Sequence, residues 1–167
     1  PHTLVLAGDC PLIETSTLKE LVNYHCKHQS TATILSTTMK NPTGYGRILR
    51  SSNNHVLGIK EQKDCTAEQT QISEVNSGIY LFNTDILISY INKLTTNNKQ
   101  GEYYLTDIIE ILREANHKID AFNMPDPNQF TGVNTREELA HISSIVFKKI
   151  NSFHMSNGVT IINPDTT

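Results

Sequence analysis

Near its start the chain runs Leu4-Val5-Leu6-Ala7 and then stops at Gly8-Asp9. A short apolar run ending in glycine reads as a buried strand of a parallel sheet. A buried strand needs neighbours on both sides, and parallel neighbours are joined by helical crossovers. This feature alone pulls the chain toward an α/β fold. No Met and no lead-in precede the run, and the turn and strand expected over Asn157–Asp165 stop without a partner. We therefore expect an internal part of something larger.

The residues between bear out an alternation of helices and strands. Leu18, Leu21, Val22 and Cys26 recur at helical spacing over 15–28, with Thr17 and Glu20 at capping-box separation. Residues 31–39 are β-branched and read as a strand. Residues 46–49 and 55–60 flank the polar cluster Ser51-Ser52-Asn53-Asn54 and pair most simply as a hairpin. A short helix is expected over 64–71 and a strand over 74–82. Asn83-Thr84-Asp85 should cap a helix through Leu94, and a further helix should end near Ala115. Residues 119–122 read as a strand and 135–150 as a long helix, whose apolar face of Leu139, Ile142, Val146 and Ile150 suits core or domain packing. The sum is a three-layer α/β fold with a mixed, mostly parallel sheet and an inserted hairpin.

Composition removes several functions. Fourteen Lys and Arg against seventeen Asp and Glu leave a net charge of −3, which gives no electrostatic case for nucleic acid or an anionic membrane. No apolar run approaches the ~18 residues of a membrane span. Three cysteines without a CxxC pair, together with no charged-then-apolar leader, suggest reduced thiols in a cytoplasmic protein. The seven His lack metal spacing, which argues against zinc, and Cys10 has no arguable His partner to make it a nucleophile.

The candidate sites lie where strands give out, which is where open α/β sheets bind ligands. Asp9 suits a Mg²⁺ site shared with substrate phosphates, or else caps the turn at Pro11. Gly44-Tyr45-Gly46 allows close backbone approach to a ligand, or is an ordinary strand entry. Glu61 could accept from sugar hydroxyls or be a solvated charge. Asn76 could donate and accept with a polar ligand, or bond its own backbone. Asn134 is by default a helix N-cap, and holding a metal would require its side chain to turn away from the helix.

Taken together and in order, the motifs carry a resemblance. Val5-Leu6-Ala7-Gly8-Asp9-Cys10-Pro11-Leu12, Pro42-Thr43-Gly44-Tyr45-Gly46-Arg47-Ile48, Glu61-Gln62-Lys63-Asp64, Glu74-Val75-Asn76-Ser77-Gly78-Ile79, Gln100-Gly101-Glu102-Tyr103-Tyr104-Leu105-Thr106-Asp107 and Gly132-Val133-Asn134 follow one another along the chain. This pattern resembles the uridylyltransferase (pyrophosphorylase) domain of the bacterial bifunctional N-acetylglucosamine-1-phosphate uridylyltransferase / glucosamine-1-phosphate N-acetyltransferase. The resemblance implies a Rossmann-like nucleotidyltransferase fold. It also implies Mg²⁺-dependent transfer of UMP from UTP to N-acetylglucosamine 1-phosphate, giving UDP-N-acetylglucosamine and pyrophosphate for cell-envelope precursors. By the same resemblance, Asp9 and Asn134 would hold Mg²⁺, and Ala7, Gly8 and Asp9 would face the nucleotide. Gly46, Glu61 and Asn76 would line the sugar pocket, with Tyr104 and Thr106 as weaker candidates.

The family's glycine-rich basic loop and its β-helix acetyltransferase half have no counterpart in the sequence, beyond a possible first coil at 158–164. The expected division is therefore 1–134 as the later part of the uridylyltransferase domain, 135–156 as a linker helix and 157–167 as the start of the β-helix. The homotrimer the family builds through that half is expected only of a full-length protein. The chain alone is expected to be inactive, with aggregation-prone apolar edge surface at residues 3–6. Two other readings stay open: a nucleotidyltransferase for another sugar phosphate, and a non-catalytic sugar-nucleotide-binding module.

Overall fold

The computed structural model describes all residues 1–167, in two compact units. One comprises 1–7 and 14–127, the other 8–13 and 128–167. The elements in chain order are β1 (His2–Val5), α1 (Thr15–His28), β2 (Ala32–Thr38), β3 (Arg47–Arg50), β4 (Val56–Lys60), β5 (Glu74–Asn83), α2 (Thr84–Ile91), α3 (Asp107–Glu114), β6 (Ile119–Met124) and α4 (Arg136–Ser156). Short 3-10 turns span Gln62–Asp64, Gln69–Gln71 and Pro127–Phe130.

The first unit is built on a six-stranded sheet in the order β4-β3-β5-β2-β6, with β1 also pairing to β5. Strands alternate their side chains between two faces. On β2, Ala32 and Ile34 point into a core with Tyr80, Phe82, Ile48, Ile59 and three fully buried residues of α3, Ile108, Ile109 and Leu112. Thr33, between them, points to the opposite face and meets His25 of α1 at 2.8 Å. Helices therefore cover both faces, giving the three layers expected.

The sheet is mixed, and its hairpin is inserted where the turn cluster placed it. It is not mostly parallel, however. Only β2 and β6 run parallel, while β1–β5, β2–β5, β3–β4 and β3–β5 are antiparallel. An apolar run fits burial in either direction, so residue pattern gives a strand's existence without its sense. The opening run is corrected in the same way: β1 pairs only with β5, and Leu4 and Leu6 are exposed rather than buried.

Several boundaries also move. Glu14, in extended conformation, is the N-cap of α1, and Thr17 is buried inside the helix instead of capping it. No single helix spans 64–71; short 3-10 turns occupy Gln62–Asp64 and Gln69–Gln71. Asn83 caps α2 as expected, accepting from the Ile86 N–H at 3.2 Å, but the helix ends at Ile91.

In the second unit, α4 runs six residues past the expected Ile150. Thr135 and Glu138 form a capping box at its start, each side chain accepting from the other's backbone N–H. Of its expected packing face only Ile142 is buried, whereas Leu139, Val146 and Ile150 are exposed. Residues 157–167 form turns rather than a strand. Buried Asn151 of α4 donates to the Pro164 and Thr167 carbonyls, both at 2.9 Å, so those groups bond to a helix side chain instead of a sheet. No helix is long and apolar enough to cross a membrane.

Candidate functional site

In the first unit, Gly46, Glu61 and Asn76 come together at the ends of β3, β4 and β5. The junction is made by an irregularity in β5. Leu35 of β2 pairs with Ile79 while the next residue, Ser36, pairs with Asn76, so Ser77 and Gly78 bulge out of register. Gly78 takes φ +78°, a left-handed conformation that favours glycine, and a Cβ there would touch the Ala7 side chain at 3.4 Å. The bulge's polar groups are satisfied locally. Gly78 N–H donates to Asn76 Oδ1 at 3.1 Å, and Ser77 Oγ donates to the Leu35 carbonyl at 2.6 Å.

Asn76 is thereby fixed. Its backbone N–H donates to the Gly46 carbonyl at 2.9 Å, and its Nδ2 donates to Tyr80 Oη at 2.7 Å. At Gly46 the backbone comes close to the Glu61 carboxylate. A Cβ there would lie 3.1 Å from Ile59 and 3.3–3.4 Å from both Glu61 oxygens. Burial pushes the Glu61 carboxyl above its ordinary value. The Thr106 hydroxyl, itself buried without an ordinary hydrogen bond, offsets part of that rise, and Asp107 and Asp64 add to it. A carboxylate so placed is short of donors, and hydroxyls of a neutral ligand could supply them.

Arg47 ties the surrounding loops together. Its guanidinium is fully buried and donates to the Tyr45 carbonyl, to Gln62 Oε1 at 2.8 Å and to the Thr70 carbonyl at 3.3 Å. Gly44 N–H reaches the same Gln62 oxygen at 3.3 Å. Tyr104 is turned toward its own loop, its hydroxyl accepting from Gln100 Nε2. Lys63 donates to Gln100 and Lys99 to the Lys63 carbonyl, so that loop is fastened to the segment after β4.

In the second unit, Asp9 and Asn134 come together although 125 positions separate them in sequence. The Asp9 carbonyl accepts from the Val133 N–H at 2.9 Å. A Cβ on Gly132 would lie 3.1 Å from Asp9 Oδ2 and 3.6 Å from Asn134 Nδ2, so this glycine keeps open the space the two side chains share. Asn134 is not the N-cap its position suggested. Thr135 takes that role, and Asn134 contributes only its backbone N–H, donating to Glu138 at 2.7 Å. Gly8 and Asp9 are both exposed. Burial and the neighbouring Asp9 carboxylate push the Cys10 thiol up to about 11, far from a reactive thiolate.

Sequence reading missed three residues of these clusters. Tyr80 stands four positions after Asn76 on the same strand, and nothing in the residue pattern singles it out. Arg47 and Gly132 stand within motifs whose spacing does not mark them as site residues. The usable signal for Tyr80 was same-face strand spacing, but the bulge at 77–78 hides it.

Comparison with known proteins agrees with this architecture. A family model described as nucleotidyl transferase matches residues 1–127. The chain is similar to a bifunctional protein GlmU of Thermoanaerobacter pseudethanolicus, with 48% identity over 99% of the chain and 36% of that protein. It is 50% identical to the protein of that name in Clostridium botulinum, over 98% of the chain and 35% of the relative. The chain thus spans about a third of the length of these curated relatives. Among solved structures it resembles a CMP:2-keto-3-deoxy-manno-octonic acid synthetase complexed with CTP, with TM-score 0.61 and 14% identity over 89% of the chain and 62% of the other. A putative glucose-1-phosphate thymidylyltransferase from Bacillus anthracis, in complex with a sucrose, gives TM-score 0.53 and 18% identity, over 89% and 52%. At these identities the two structures speak to the fold alone.

Proposed function

Because the chain belongs to the nucleotidyl transferase family, we propose that it carries the sugar-phosphate and metal stations of a uridylyl transfer from UTP to N-acetylglucosamine 1-phosphate. The observation that carries this reading is the meeting of Gly46, Glu61 and Asn76, three residues 30 positions apart from first to last that the bulge in β5 and the hairpin bring to one place. The likeness to the GlmU proteins supports the choice of sugar and nucleotide.

Glu61 would accept hydrogen bonds from sugar hydroxyls, which relieve a carboxylate that burial leaves short of donors. Asn76 would offer an amide whose orientation is already set by Gly78 and Tyr80. Gly46 would let the sugar approach the backbone where any side chain would press on Glu61. Ala7 borders the same bulge.

Asp9 and Asn134 would hold Mg²⁺, with Gly8 beside them facing the nucleotide. The donor types fit: a carboxylate and an amide offer hard oxygen ligands around a space that a Cβ at residue 132 would fill, with the Asn134 amide turning to bring Oδ1 where Nδ2 now faces. Mg²⁺ commonly takes one or two protein oxygens and completes its shell with water and substrate phosphates, so two ligands suffice. Bound there, the ion would neutralise phosphate charge during phosphoryl transfer, a reaction limited by positioning and electrostatics more than by covalent chemistry.

These 167 residues contain no glycine-rich segment with Arg and Lys to cradle a triphosphate. We therefore expect the chain alone to bind the sugar phosphate but not to release pyrophosphate. The domain division at 134/135 and 156/157, acetyl transfer, trimer assembly and cytoplasmic residence belong to the proposal for a protein of the relatives' full length. The test is Mg²⁺-dependent pyrophosphate release from UTP and N-acetylglucosamine 1-phosphate, by such a protein and by this chain. Activity in the first and none in the second supports the reading. Binding without turnover in the longer protein would make it a non-catalytic module.

A further inference from the structure

We propose that Tyr80 is a positioning residue of the sugar pocket, acting through the carboxamide of Asn76; this rests on the reading of that pocket given above. Asn76 sits beside a β-bulge, a setting that by itself leaves a side-chain amide free to rotate. Two contacts remove that freedom. Gly78 N–H can only donate, so the atom 3.1 Å from it must be the amide oxygen. That places Nδ2 toward Tyr80 Oη, 2.7 Å away, and the phenol oxygen accepts from it. Only 9% of Asn76 and 3% of Tyr80 are exposed, so water cannot replace the phenol as acceptor without opening the core.

The Tyr80 ring is in turn held. It stacks on Phe82 with centroids 5.7 Å apart and belongs to the core packed by α2 and α3. The hydroxyl is thus carried on a rigid body, and its distance to Asn76 is set by core packing rather than by a mobile loop. Burial and the nearby Glu61 charge both push the phenol further from ionising, so it stays a neutral acceptor across the working pH range. The consequence is an amide presented in one orientation, with one Nδ2 hydrogen and one Oδ1 lone pair left for a ligand. A phenylalanine at this place would preserve the packing and leave Nδ2 buried without its acceptor.

The test combines spectroscopy with a binding cycle on the 167-residue chain, using N-acetylglucosamine 1-phosphate as the probe. In the wild type, the two Asn76 side-chain amide protons should be well separated in ¹H–¹⁵N spectra and slow to exchange. In Tyr80→Phe they should move toward free-amide values. Affinity should fall about tenfold in Tyr80→Phe, the effect of one lost hydrogen bond. Tyr80→Met, which also lacks the hydroxyl, should show the same loss. The double variant Tyr80→Phe/Asn76→Ala should bind no more weakly than Asn76→Ala, because Tyr80 acts through Asn76. Leu21→Ala, a packing control in α1 away from the Tyr80 ring, should lower the melting temperature without changing affinity.

Equal affinity of wild type and Tyr80→Phe, or additive losses in the double variant, overturns the assignment while leaving the pocket in place. An affinity loss in Leu21→Ala matching that of Tyr80→Phe reduces Tyr80 to general core packing. No binding by the wild-type chain overturns the pocket reading itself and the Tyr80 assignment with it.

Discussion

Glu61 and Asn76 in the first unit are surrounded by fixed partners. Asp9 and Asn134 in the second stand exposed, with little besides backbone contacts to hold them. At the first cluster the Asn76 amide has made two of its hydrogen bonds before any ligand arrives, while burial leaves the Glu61 carboxylate short of donors. Such a site selects by geometry, since a ligand must supply particular donors at particular points. The second pair holds little in advance beyond a weak contact from the Cys10 thiol to Asp9 Oδ1 at 3.7 Å, which suits an ion that brings its own water and phosphate ligands. On the proposed function, recognition and charge neutralisation would thus fall to clusters with opposite degrees of preorganisation.

The largest effect expected from breaking this contrast is at the open pair. In a protein of the relatives' length, Asp9→Asn should lower Mg²⁺-dependent turnover by at least about a hundredfold, the scale of losing a direct electrostatic contact in the transition state. Its thermal stability should stay near wild type because Asp9 is exposed. Steady-state kinetics with a melting curve checks both. Turnover within a few-fold of wild type would remove Asp9 from the metal role.

At the preorganised cluster, Glu61→Ala and Asn76→Ala should raise the KM for the sugar phosphate roughly ten- to a hundredfold while leaving that for UTP alone. Equal losses for both substrates would point to general misfolding. Gly132→Ala should act more mildly. Its methyl group would crowd Asp9 Oδ2 at 3.1 Å, and overpacking of about 1 kcal/mol corresponds to roughly a fivefold higher Mg²⁺ requirement. An unchanged Mg²⁺ dependence would show that the space above residue 132 is not used.

The smallest effect tests the scaffold away from both sites. His25 is buried against Thr33, with His2 and Asp120 its charged neighbours, and burial holds its pKa below the ordinary 6.5. The unfolded chain takes up a proton near 6.5 that the folded chain resists. Stability should therefore be lost as pH falls through that value and be regained above it. Thermal melts from pH 8 to 5 should show a decline that His25→Gln flattens; an identical decline in the variant would place its origin elsewhere.

Much of this was legible in the residues because it was local. The α1 span, the hairpin around Ser51–Asn54 and the Asn83 cap each follow from spacing within a few positions. Strand direction was not legible, because Leu4-Val5-Leu6 would suit a parallel interior as well as the antiparallel edge it occupies. Nor was the exposure of Leu139, Val146 and Ile150, since helical periodicity marks an apolar face without saying what covers it. At the sites, the order of motifs singled out Gly46, Glu61, Asn76, Asp9 and Asn134. The partners that hold them, Tyr80, Arg47 and Gly132, depend on a bulge and on loop closures that no local pattern encodes.

The most direct test of the central claim is titration calorimetry of the 167-residue chain and its Glu61→Ala variant with N-acetylglucosamine 1-phosphate, and separately with UTP. The account predicts that the wild type binds the sugar phosphate, that the variant binds it at least about tenfold more weakly, and that neither binds UTP measurably. Equal sugar-phosphate affinity in the two proteins, or UTP binding as tight as that of the sugar phosphate, would contradict it.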